Sequence, residues 1–186
     1  MGLDGRGRRR LTEGANEVTP ACGPDGFVYY FTFATGTGTL SRVPAGGGAV
    51  QVLTDGPPAR FPAVSPDGGR VATAYREAGG TVNKIAVWNL ADSSAPERVF
   101  EPARGARSPG PLRWTRDGRT LAYIVTRRGV SNVWAQPVAG GEPRQLTDFT
   151  AEKIYHFDFS PDGRGLAAAR GDSEVSVLLW KNFRGQ

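Results

Sequence analysis

Short apolar runs, separated by segments rich in glycine, proline and aspartate, fill the chain, and no stretch carries the spacing of an amphipathic helix. The stretch FPAVSPDGGRVATAY, residues 61–75, shows the unit: an apolar run, a tight turn at Ser65-Pro66-Asp67-Gly68, and a second apolar run. In such a turn proline holds φ near about −65°, the aspartate carboxylate accepts a backbone N–H two residues on, and glycine takes the positive φ. A strand, a hairpin and a return strand are predicted. GPDG at 23–26, TRDG at 115–118 and SPDG at 160–163 repeat the device in the same setting. The runs RTLAYIV (119–125) and RGLAAAR (164–170) are apolar on consecutive positions, which implies strands buried on both faces. The small residues Ala72, Ala74, Ala122, Ala167 and Ala168 would let neighbouring sheets approach closely.

Asp25, Asp67, Asp117 and Asp162 lie 42, 50 and 45 residues apart, the period of propeller blades built from four strands. Leu-Thr followed by an acid recurs at Leu11-Thr12-Glu13, Leu53-Thr54-Asp55 and Leu146-Thr147-Asp148, with Val99-Phe100-Glu101 at the midpoint of the last two. Trp88, Trp134 and Trp180 are spaced 46 and 46 residues apart, each closing an apolar run predicted as the third strand of a blade. Their common phase marks them as packing residues between blades. The glycine clusters at 44–48 and 137–141 are predicted turns from third to fourth strands. They are not phosphate loops, because no helix and no Lys-Ser/Thr pair follows. The pattern predicts an all-β propeller of four-stranded antiparallel blades, about four blades' worth. Approximate blades fall at 14–56, 57–102, 103–149 and 150–186, with 1–13 the end of a preceding one.

Composition narrows the function more than the fold. The chain has 186 residues with 26 Gly and 14 Pro, and its 39% hydrophobic and 22% charged content is that of a folded domain. The net charge of +5 is carried almost wholly by arginine, including Arg6, Arg8, Arg9 and Arg10 near the start, which read as a solvated strand end rather than a nucleic-acid arm. Cys22 is the single cysteine, which excludes an internal disulfide and suggests a small buried or half-buried residue. No apolar run approaches the roughly 20 residues that span a bilayer. The opening MGLDGRGRRRLTEG has no apolar segment of the secretory kind.

The SPDG turns followed by Leu/Val-Ala, the Trp-bearing third strands and the GGxxxQLTD segment together resemble the WD-like propeller repeats of TolB and related bacterial proteins, over nearly the whole chain. That resemblance implies a partial ring belonging to a propeller of six to eight blades, or a closed four-bladed ring in which the N-terminal strand completes the last blade. It also implies a noncatalytic module that binds a protein or peptide, in a periplasmic or extracytoplasmic setting. The segment from Phe157 through the C-terminus is similar, more loosely, to propeller sensor regions of bacterial Ser/Thr kinases and winged-helix regulators, which is the alternative reading. The kinase motifs themselves are absent from the sequence.

Candidate chemistry is sparse. His156 is the only histidine, placed in a loop KIYHFDF next to a strand beginning at Phe157, and no GxSxG accompanies it. One His and one Cys do not make the usual zinc site, and Asp158 and Asp162 lack calcium-loop spacing, so neither metal nor cofactor is expected. Function is expected on one rim, formed by loops joining second to third strands and fourth to next first strands. Its basic residues are Arg60, Arg76, Lys84, Arg104, Arg107, Arg127, Arg128, Lys153 and Arg170, matched by as many acids. A charge-balanced rim argues for a protein or peptide partner and against nucleic acid. Membrane insertion is not expected. Open blade edges would favour self-association.

Overall fold

In a computed structural model the described residues are 7–14, 16–34, 37–56, 60–75, 84–104, 106 and 109–172. Among them the regular structure is all β. Strands β1 (Glu17–Cys22), β2 (Phe27–Ala34), β3 (Thr37–Pro44) and β4 (Gln51–Gly56) form the first antiparallel sheet in chain order. The second holds β5 (Arg60–Val64), β6 (Arg70–Tyr75), β7 (Lys84–Asn89) and β8 (Arg98–Phe100). The third holds β9 (Arg113–Trp114), β10 (Thr120–Arg127), β11 (Val130–Pro137) and β12 (Arg144–Gln145). In the fourth, β13 (Lys153–Phe159) pairs with β14 (Leu166–Gly171). Its expected third strand, with Trp180, lies outside the described residues, as do residues 1–6. The first strands of successive sheets are neighbours, β1 against β5 and β5 against β9. The sheets therefore stack as blades of a partial propeller with those strands innermost.

The cores lie between blades. Tyr29 and Leu40 of the first sheet meet Val71, Ala86 and Trp88 of the second. Ile85 and Val87 meet Leu121, Tyr123 and Val125. Ala122, Ile124 and Val133 meet Ile154 and Phe157. Consecutive apolar residues in β6 and β10 are explained by this arrangement, because one face packs on the preceding blade and the other on the next, whereas β14 is not buried on both faces as expected: Ala167 and Ala169 are exposed and only the alternate face packs. Trp88 and Trp134 both pack between blades, but not at one phase: Trp88 pairs across from Val71 and Trp134 from Tyr123. Counted from the turn aspartates, these partners differ by two residues. The longer connection between β6 and β7 offsets the equal spacing seen in sequence.

Each hairpin turn is built as its residues predict. Asp67 Oδ1 accepts from Gly69 N at 3.0 Å, Asp117 Oδ1 from Arg119 N at 3.0 Å and Asp162 Oδ1 from Arg164 N at 3.0 Å. Gly68, Gly118 and Gly163 take φ of 72°, 66° and 72°. A hydroxyl opens each of these turns, and Ser65, Thr115 and Ser160 accept from the backbone N–H five residues on. The first turn is one residue shorter. Gly23 N bonds Phe27 O at 2.8 Å, four residues on, and glycine replaces the hydroxyl. There Asp25 Oδ1 still accepts from the backbone two residues on, Phe27 N at 3.3 Å, while its Oδ2 accepts in addition from Tyr29 Oη at 2.7 Å, and Arg42 Nη1 lies 3.6 Å from the same carboxylate. Burial, reinforced by the Asp25 bond, pushes the Tyr29 phenol up to about 12.

Arginines lace neighbouring turns together. Arg70 Nη2 donates to Gly118 O at 3.3 Å with its guanidinium over the Trp114 ring, and Arg116 Nη1 donates to Pro161 O at 3.1 Å. Trp114 Nε1 donates to Ala63 O at 2.8 Å, which joins the second and third blades near the axis.

Candidate functional site

Antiparallel order places the expected rim residues at one end of the sheets. Arg127 ends β10 and Arg128 occupies the two-residue turn to β11, where φ of 51° and 85° at Arg128 and Gly129 fits a primed hairpin. The turn displays an exposed Arg128 at its tip. Arg127 stacks over half-buried Trp134 with its guanidinium 4.6 Å from the ring centroid, and its Nε donates to Arg104 O at 2.9 Å. These contacts bring the Arg127 and Arg128 hairpin against the backbone of exposed Arg104.

The other described rim cations, Arg60, Lys84, Lys153 and Arg170, belong to the blades on either side. Arg60 opens β5 with its guanidinium over Phe33, and Lys153 opens β13. Arg170 lies over the Phe149 ring at 3.7 Å, bonds Ala151 O and pairs with Glu152 at 3.2 Å. Arg76 and Arg107 lie outside the described residues.

The copy of the recurring triplet at Leu146-Thr147-Asp148 forms a clasp near this end, whereas Thr54 of the earlier copy lies within β4, paired with Leu40. Thr147 Oγ1 accepts from Val133 N at 2.9 Å and donates to Asn132 Oδ1, which also accepts from Phe149 N at 2.7 Å. The side chains complete the pairing that short β12 does not continue.

A second concave region was not expected. The innermost strands line an open cavity of about 610 Å³, walled by Thr19, Cys22, Phe61, Arg113, Tyr155 and His156 among others. His156 is not in a loop but inside β13, where a bulge between Ile154 and His156 shifts the register. Cys22 is exposed rather than buried. Arg113 Nε lies 3.3 Å from Asp158 Oδ2, and Arg113 Nη2 lies 3.1 Å from His156 Nε2. A guanidinium only donates, so His156 Nε2 is the acceptor and the ring proton sits on Nδ1. The cluster was legible once the turns are aligned. Arg113 and Asp158 both stand four residues before their turn aspartates, where the first two blades carry Ala21 and Ala63.

The wall of this cavity is strained. Thr19 and Phe61, at equivalent positions and each preceding a proline, adopt φ of 51° and 56°. For a β-branched and an aromatic residue these are genuine outliers, of a kind that costs about 1–3 kcal/mol each. Both fall at bulges, in the pairing of β1 with β2 and of β5 with β6. The Phe61 ring lies on Gly110, where an added Cβ would stand 2.2 Å from it.

Among the described residues no three of His, Cys, Asp and Glu gather to hold a metal ion. Hydroxyl and backbone donors hold the turn carboxylates Asp67, Asp117 and Asp162 below the usual carboxylate range, and the Ser94 hydroxyl and N–H do the same for Asp92 in the β7–β8 connection.

No protein-family model matches the sequence, and no characterised protein matches it by sequence. Solved structures do match the fold. A protein assigned to TolB from Agrobacterium tumefaciens is similar with a TM-score of 0.69 at 19% identity, over 84% of this chain and 55% of that one. TolB from Acinetobacter baumannii is similar with a TM-score of 0.65 at 22% identity, over 82% of this chain and 37% of that one. A chain of the nidogen/laminin complex is similar with a TM-score of 0.66 at 15% identity, over 83% and 56%. The fold is a TolB-like β-propeller, and the chain spans about half or less of each of these relatives.

Proposed function

We propose that the chain is a noncatalytic propeller module that recognises a protein or peptide partner through the rim formed by the β10–β11 hairpin and its neighbours. The patch of Arg104, Arg127 and Arg128 beside Trp134 carries this reading. Arginine and tryptophan are the residues that dominate protein interfaces, and stacking fixes the guanidinium in advance of binding. Acids such as Glu152 nearby leave the rim mixed in charge, which suits a partner with its own charge pattern better than a polyanion. Similarity to a propeller from a protein–protein complex supports the same direction.

Selection of a displayed peptide library on the immobilised chain tests it. Enriched peptides are expected to lose binding to the Arg104→Glu, Arg128→Glu double variant. If no peptide enriches, or if binders hold the charge-reversed rim equally well, the reading fails.

A further inference from the structure

The axial cavity has features that blade packing does not require. Two non-glycine residues preceding prolines are held at positive φ in its wall, at positions that repeat from one blade to the next. Thr19 Oγ1, in that wall, is buried and has no hydrogen-bond partner among the described residues. Strained backbone and unsatisfied buried polar atoms gather where a protein holds something. The Arg113–His156–Asp158 cluster is a third, independent feature.

We propose that the axial cavity is a binding site, separate from the rim, for a neutral, hydroxyl-rich small molecule of the saccharide class. The two charged side chains among its lining residues are Arg113 and Asp158, paired at 3.3 Å, so a charged ligand would meet no net opposite charge. The cluster presents both kinds of hydrogen-bonding group. Arg113 spends one N–H on Leu112 O and one on His156, and its Nε is ion-paired with Asp158 at 3.3 Å, so guanidinium N–H groups are left to donate. The His156 Nδ1 proton adds a donor and the Asp158 carboxylate adds acceptor lone pairs. Hydroxyls, which donate and accept at once, match such a set. Tyr155 supplies the apolar counterpart: it is 54% exposed, with its ring edge against Gly171, a platform for the C–H face of a sugar ring. The volume, about 610 Å³, suits a small-molecule site.

Titration of the whole chain with glucose, galactose, mannose, N-acetylglucosamine and their disaccharides, followed by saturation-transfer NMR and calorimetry, tests the assignment. At least one neutral sugar is expected to bind. Tyr155→Ala and Asp158→Asn, both at exposed side chains, are each expected to weaken it about tenfold. The Arg104→Glu, Arg128→Glu variant that disables the rim should bind the sugar normally, so the two sites fail separately. Absence of binding at millimolar sugar would overturn the proposal. So would binding that survives both cavity substitutions, or tighter binding of glucuronate than of glucose, a comparison that needs no variant.

Discussion

The turn of the first blade and the turns of the second to fourth fill the same place in the repeat by different chemistry. In the later blades a serine or threonine hydroxyl and an aspartate close the turn on itself, at the solvent edge. In the first blade a glycine stands for the hydroxyl, the turn is a residue shorter, and Asp25 reaches inward to Tyr29 and Arg42. The later aspartates are local caps. Asp25 keeps a local bond from Phe27 N and adds a tie from its turn to the interface with the next blade, since Tyr29 lies in the core shared with Val71 and Trp88. A repeat conserves the demand that turn backbone groups be satisfied, while the side chains that meet the demand are free to acquire a second task.

The sharpest break comes at Tyr29, which is fully buried. Tyr29→Ala should cost about 3–5 kcal/mol in chemical denaturation. Asp25→Ala should cost about 2 kcal/mol, because it leaves the phenol without its acceptor and Arg42 without its counter-ion. Asp117→Ala should cost clearly less; equal losses would erase the distinction between coupled and local turns. Importing the missing hydroxyl should not help. A Cβ at Gly23 would stand 2.8 Å from the Tyr29 ring, so Gly23→Ser is expected to destabilise by about 1–2 kcal/mol. Ser65→Ala removes the acceptor of Arg70 N and should cost about 1 kcal/mol.

The two kinds of turn also differ in pH response. Donors in the later turns favour the carboxylates of Asp67, Asp117 and Asp162, so their contribution is complete above the ordinary carboxylate range, about 4, and drains away as pH falls below it. The triple variant Ser65→Ala, Thr115→Ala, Ser160→Ala should flatten that acid slope. At the first blade the effect is alkaline. The Tyr29 phenol holds its proton better folded than unfolded, so stability should fall between pH 10.0 and about 12, and Tyr29→Phe should remove that loss.

Much of the fold was legible because its signals are local. Asp-Gly turns, the consecutive apolar runs of β6 and β10 and the recurring Leu-Thr-acid triplets each declare themselves within a few residues. The shortened first turn was legible only in part: GPDG looks like SPDG, and the lost residue appears only when Gly23 is seen pairing with Phe27. The phase of the tryptophans misled because equal spacing concealed unequal hairpins. Arg113, His156 and Asp158 escaped notice because two inner strands bring them together, and side chains so far apart in sequence show no spacing rule of their own.

Arg70 and Arg116 close on backbone oxygens of the following blades, at Gly118 and Pro161. Every amino acid offers that oxygen, so the receiving blade is free to drift in sequence while docking persists. For these bonds the receiving turn is held in sequence only where a ring such as Trp114 supports the guanidinium, which lets a duplicated segment change its outward chemistry without losing its place in the row.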